Sequence, residues 1–296
     1  MADPNVNPET WIGPEVIQTY QRILTRLDQL SGLRFLRDKI VAFLSDPRLT
    51  FAADAEHWDA SAAPLFEAGL IADIAEFRAY RSRLVPRERP VSFLAAPGSR
   101  MNDHHSYPGG LVFHTAADIE LGLAFADVYQ RIYQLPVDRD VVVVALVLHD
   151  IAKATVFQWH APEPGQGPEQ TVYDGEITIA GTGGHHIFAI SEAIVRDFPA
   201  PVVQALAFCH NHCDPPEAGL ANFLQAAYLL AGKPVPAGSG LTLTIADWIC
   251  LLADSDWPLT SWAMRRSIQQ AGPSERSAML RALARRTEFD IFRPQT

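Results

Sequence analysis

Ten histidines carry most of the chemistry that this sequence can do. His114 lies in a stretch of helical spacing, His149 and Asp150 end an apolar run, His185 and His186 open a further helical stretch, and His210 and His212 follow another. Aspartates come after them, at Asp247, Asp254 and Asp256. Singly, each has an ordinary explanation, since a helix histidine is usually a hydrogen-bonded core or surface residue and a helix-end aspartate is usually solvated. Jointly they point elsewhere. A run of His, His-Asp, His, His, Asp, each on or at the end of a separate helix, is how a helical bundle gathers inward-facing ligands for metal. Imidazole with carboxylate suits Mn2+, Fe2+, Zn2+ or Mg2+ better than soft thiophilic ions.

These residues need helices to position them, and the pattern supplies them. Val16, Ile17, Tyr20, Ile23, Leu24, Leu27 and Leu30 recur at spacings of three and four, which predicts a helix from Pro14 to about Asp46. A second is expected from Ala62 to about Leu84, and a third carries His114. The valines Val141–Val144 have strand propensity, but the stretch from Asp140 to about Lys153 is long for a strand and suits a helix buried on all sides. Such a helix delivers His149, Asp150 and Lys153 to its end, where buried charge must be paired or bound to metal. The strand signal is "EQTVYDGEITIA", Glu169 to Ala180, with Asp174-Gly175 as a type I′ hairpin turn. The Pro- and Gly-rich segment Val85–Gly110 predicts a boundary between an N-terminal helical region, residues 1–95, and a metal-binding helical domain, residues 96–296.

In its motifs the chain resembles the HD-domain superfamily of metal-dependent phosphohydrolases, whose signature is this ordered run with a His-Asp doublet in the middle. "HHSYPGGLVFHT" is similar to the HH-x-Y-x-GGL-x-x-HT segment of HD proteins related to certain exoribonucleases, and "LVLHDIAKA" is similar to the HDIGK segment, with Ala152 where Gly is usual. The resemblance covers about Pro97 to Trp257 and implies an all-α, mainly helical HD bundle with one short β-hairpin. It implies His114, His149 and Asp150 as ligands of one or two divalent ions, with Asp150 as the bridge between two. For the next ligand, a small residue four positions on (Ala189) selects His185, whereas an acid six positions on (Glu192) selects His186; both stay open. The family register selects His210, leaving His212 for the substrate or the surroundings of the metal. Asp254 closes the set, with Asp247, on the same helix face, as its runner-up. "LANFLQA" also fits the closing pattern, with Asn222 and Gln225 in place of both acids, which would leave the site short of a carboxylate. His104, His105, His212 and Asp247 are the candidates for contact with substrate.

Phosphoester hydrolysis is the chemistry such residues support: bound ions acidify a water that attacks phosphorus, while Lys153, about one turn beyond Asp150, offsets charge on the phosphoryl oxygens. Asp150 and Lys153 are therefore the catalytic candidates, and a small phosphorylated compound or nucleotide is the expected substrate. Two alternatives are a two-iron HD-type oxygenase and an inactive regulatory or partner-binding HD module. A zinc site at Cys209, His210, His212 and Cys213 is disfavoured by its tight spacing. Neither a P-loop nor a dinucleotide glycine motif follows an expected strand, so nucleotide cofactors are not indicated.

Whole-chain properties bound the rest. With 296 residues, 48% hydrophobic, 20% charged and a formal net charge of -10, the chain has the composition of a soluble protein without the basic footprint of non-specific nucleic-acid binding. The longest apolar run is far short of the roughly 18 residues that suggest a membrane span. "MADPNVNPETWIG" has neither the basic nor the apolar region of a signal peptide. Three cysteines form no disulfide framework, and a cytoplasmic setting is expected.

Overall fold

The computed structural model describes residues 12–84, 92–100, 103–157, 176–236 and 242–271. Helix α1 (Pro14–Asp28) opens with proline, which loses nothing in a first turn, and buries Val16, Ile23 and Leu27. The helix expected to continue to about Asp46 stops here. Asp140 accepts the backbone N–H groups of Ser31 and Leu33, each at 2.9 Å, and so fixes a turn before α2 (Arg37–Ser45). The helix expected from Ala62 to about Leu84 is likewise two, α3 (Ala55–Glu67) and α4 (Ile74–Leu84). Between them Gly69 takes φ +69°, and the Gly69 and Leu70 amides bond back to the Phe66 and Leu65 carbonyls. This is a Schellman stop, which the apolar spacing does not register.

Further along the chain come α5 (Gly110–Tyr133), α6 (Arg139–Leu148) and the short α7 (Lys153–Val156). The hairpin strands β1 (Thr178–Ile179) and β2 (Thr182–Gly183) follow, then α8 (Gly184–Val195), α9 (Ala200–Phe208), α10 (Pro216–Leu230), α11 (Ile245–Asp254) and α12 (Trp257–Ala271). Helix α5 packs on α1, α6 and α11, α9 packs on α6 and α11, and α8 lies against α9 and α10. The valine run forms the helix α6: Asp138 caps it by accepting the Val141 N–H at 3.1 Å, and every residue from Val141 to Leu148 is buried. Burial on all sides overrides the strand propensity of the four valines. One apolar core joins early and late helices, as where Trp58 of α3 stacks on Phe77 of α4 at 4.5 Å and meets Phe188 of α8 at 6.0 Å.

The fold is mainly α-helical with one short hairpin among the described residues. That hairpin pairs Thr178 with Gly183 and Ile179 with Thr182 in antiparallel register. Its turn is Ala180-Gly181, with φ of +53° and +81°, the two positive values that a type I′ turn requires. The Asp174-Gly175 turn expected from sequence lies outside the described residues. No helix among the described residues is long and apolar enough to cross a membrane.

Candidate metal centre

Five helix ends meet at one place. His114 stands near the start of α5 and His185 near the start of α8, while His149 directly follows α6, His210 follows α9 and Asp254 is the last residue of α11. Helices α6, α9 and α11 thus direct their carbonyl ends toward the site, where the helix dipoles favour a cation.

Asp150 stands in the middle. Its Oδ2 is 2.9 Å from His114 Nε2 and 3.3 Å from His149 Nε2, while its Oδ1 is 3.3 Å from His185 Nε2 and 3.6 Å from His210 Nε2. Asp254 spans the same gap from the other side, with Oδ1 3.3 and 3.4 Å from His114 and His149 and Oδ2 3.2 Å from His210. The six side chains form two sets, His114, His149, Asp150 and Asp254, and Asp150, His185 and His210, in each of which the donor atoms lie within 4.8 Å of one another. His149 Nδ1 faces the Leu146 carbonyl at 2.7 Å, which turns Nε2 toward Asp150. Asp150 Oδ1 and His185 Nε2 are buried without a hydrogen-bond partner. Each such atom costs about 1–3 kcal/mol, a penalty that an ion held between them would remove. All-nitrogen and oxygen donors with this convergence fit a divalent cation.

Without an ion, the side chains must neutralise one another. Burial alone would push His114 down, but the Asp118 charge and hydrogen bonds to Asp150 and Asp254 outweigh it and raise the imidazole to about 10. His149 is likewise held well above its ordinary value against burial, chiefly by Asp150. Burial would raise Asp150, yet Lys153 and His149 hold it well below the usual carboxylate range; His210 and His114 do the same for Asp254. A divalent cation can take over this neutralising role.

The loop before α5 folds over the cluster. His105, at φ +51°, turns its carbonyl back to accept the Gly98 N–H at 2.8 Å. A Cβ on Gly110 would come within 1.9 Å of that carbonyl oxygen, so the second glycine of "YPGGL" is required by close approach. The loop places the His104 and His105 rings 5.0 and 5.2 Å from the His114 ring. Burial, reinforced by the charges of His114 and Lys153, keeps both imidazoles well below their ordinary pKa and hence neutral. Lys153, 4% exposed, donates to Asp150 Oδ2 and, at 2.6 Å, to the Gly98 carbonyl, tying the loop to the cluster.

Other candidates from the sequence lie away from this point. His186 turns aside, with Nε2 3.1 Å from the Ala207 carbonyl and its ring stacked on His210 at 4.3 Å. His212 is exposed. Asp247 caps α11, accepting the Thr244 N–H and a Gln204 amide, each at 2.7 Å. Asn222 and Gln225 are exposed on α10, whereas Asp254 is in the cluster. Sequence reasoning missed two acids, one buried and one partly buried. Asp118 lies 3.3 Å from His114 Nδ1 and 3.3 Å from His149 Nε2, and burial raises its carboxyl to about 8 against the pull of His114 and His149. Its position four residues after His114 on a helix was the available signal. Glu176 accepts a hydrogen bond from His185 Nδ1 and belongs to no recognised motif.

No family model and no solved structure matches the chain. Over 125 residues, 42% of its length, it is 31% identical to a dihydroneopterin 2',3'-cyclic phosphate phosphodiesterase of Methanocaldococcus jannaschii. The chain spans 46% of that relative's length.

Proposed function

We propose that this chain is a metal-dependent phosphodiesterase of the HD class, acting on a small phosphodiester of nucleotide type. The observation that carries the reading is Asp150, whose two oxygens face two separate histidine pairs, His114 with His149 and His185 with His210. The partial likeness to a cyclic-phosphate phosphodiesterase supports the same chemistry. In this reading His114, His149, Asp150 and Asp254 hold one divalent ion (Mn, Fe, Zn or Mg), and Asp150, His185 and His210 hold a second. Every proposed ligand falls within residues 96–296, which we assign as the catalytic domain, with residues 1–95 as a helical platform.

An ion held there supplies Lewis acidity toward phosphoryl oxygens and acidifies water. The chain's own residues do the rest. Lys153 presents its ammonium beside Asp150, where a phosphoryl group would gather negative charge. His104 and His105, kept neutral, offer N–H donors to phosphoryl oxygens without carrying charge of their own. Burial of His114, His149 and Asp150 restricts bulk water at the reacting centre and strengthens each of these interactions.

The test is elemental analysis of the purified chain, followed by hydrolysis of a 2',3'-cyclic nucleotide, bis-p-nitrophenyl phosphate and p-nitrophenyl phosphate with Mn2+, Mg2+, Zn2+ or Fe2+ added singly. Ion-dependent cleavage of the diesters, abolished in Asp150→Ala, is expected. Full ion occupancy without hydrolysis of any of these substrates, or undiminished hydrolysis in chelator, would overturn the reading.

A further inference from the structure

The hairpin has a register that reaches beyond its own strands. Thr178 pairs with Gly183 and Ile179 with Thr182. Continuing that antiparallel register by two residues places Glu176, just before β1, opposite His185, in the first turn of α8. The contacts are those this alignment demands. One carboxylate oxygen, Glu176 Oε1, accepts the His185 backbone N–H at 2.8 Å and a hydrogen bond from His185 Nδ1. Space has been left for it: a Cβ on Gly183 would lie 2.7–2.8 Å from the carboxylate atoms of Glu176. With Nδ1 engaged, the Nε2 of His185 faces Asp150 Oδ1 at 3.3 Å.

We propose that Glu176 is a positioning residue for the second ion: it holds His185 as the tautomer whose Nε2 lone pair faces the centre, and raises the basicity of that nitrogen. A carboxylate behind a ligand histidine does both. The hairpin thereby gains a purpose that its two-residue strands do not otherwise suggest, since a change of one residue in register would carry Glu176 to the opposite face. The other ion has different support, because His149 Nδ1 rests on a backbone carbonyl and His114 Nδ1 faces Asp118. Glu176 therefore governs one ion and not the other.

The proposal rests on the two-ion reading above, and the experiment separates the two. Co2+ is titrated into the metal-free chain, with bound equivalents measured by equilibrium dialysis and the visible Co2+ absorption recorded, for wild type, His185→Ala, Glu176→Gln and Glu176→Ala. Wild type should take up two equivalents and His185→Ala only one at the same concentrations. Glu176→Ala should weaken that same equivalent by about 10- to 100-fold, leave the other unchanged and alter the absorption of the weakened ion alone. Glu176→Gln, which retains an acceptor for both N–H groups, should fold and fall between wild type and Glu176→Ala. Adding Glu176→Ala to His185→Ala should produce no further loss, as expected for residues acting as a unit. A residue that merely capped α8 would lower thermal stability and leave both ions at full affinity. That outcome, or equal weakening of both ions, would overturn the role of Glu176. One equivalent or none in wild type, or two retained in His185→Ala, would overturn the two-ion reading and this inference with it.

Discussion

Lys153→Met removes a charge while keeping an unbranched apolar stem, and the structure assigns it unequal consequences in two states of the protein. In the metal-free chain Lys153 and Asp150 are 4% and 1% exposed and directly paired. Removing one partner of a buried pair costs about 3–5 kcal/mol. His114 and His149 also face Asp150, so the lower end applies here. At roughly 2–4 °C per kcal/mol for a chain of this size, the metal-free variant should melt about 6–12 °C below wild type. With ions bound, Asp150 has other counter-charges, and the difference should shrink to within about 1 kcal/mol, mostly the lost bond to Gly98. Turnover behaves differently. Losing one preorganised contact to developing charge lowers the rate by on the order of 10²-fold, about 2.7 kcal/mol, at full metal occupancy. The assays are thermal unfolding with and without ion and steady-state hydrolysis at matched occupancy. Equal loss of melting temperature in both states would make Lys153 a loop anchor only. A rate within about twofold of wild type, under ~0.5 kcal/mol, would remove it from the chemistry.

Gly110→Ala should destabilise the fold by at least about 1–3 kcal/mol, because the new Cβ meets the His105 backbone, although alanine is the better helix former. Gly122→Ala, whose Cβ would meet the side chains of Leu146, Val142 and Ala253 rather than backbone, should cost less; denaturant unfolding of the two variants checks the order. Ion affinity should rise with pH. His114, raised to about 10, and His149, also raised, are protonated at neutral pH in the metal-free chain, so binding must displace their protons. Competition titrations should give roughly a tenfold gain per pH unit for each proton released between about pH 6 and 8, and a flat profile would refute the protonation scheme. His149→Ala should lose bound metal on elemental analysis while His57→Ala, whose ring rests on the Leu230 carbonyl, keeps it; equal loss from both would indicate general destabilisation.

Most of the helical framework was legible because burial and periodicity act over many residues at once. The apolar stretch ending in His149 and Asp150 reads as a buried helix from its length, and every residue from Val141 to Leu148 is buried. The breaks within the first 84 residues were not legible. Both depend on backbone groups satisfied locally or from a distance: the Gly69 stop returns its amides to the preceding turn, and the Ser31-Gly32 turn is fixed by Asp140, more than 100 residues away. Apolar spacing runs through such breaks because the residues on both sides still face the same core.

The site divides in the same way. Side chains that act by type and order, namely His114, His149, Asp150, His210 and Asp254, can be nominated from spacing, and in the fold each of the three histidines faces both Asp150 and Asp254. The choice between His185 and His186 could not be made so, because adjacent helical residues point about 100° apart and only packing decides which faces inward. That decision is made by Ala207, whose carbonyl lies against His186 Nε2, and by Glu176, which engages His185 Nδ1. The first belongs to a helix formed later in the chain and the second to a hairpin register, and neither leaves a mark in the local pattern around "GGHH". The order of the clustered side chains is thus written along the chain, whereas the orientation of each ring is set by partners that meet it only in the folded protein.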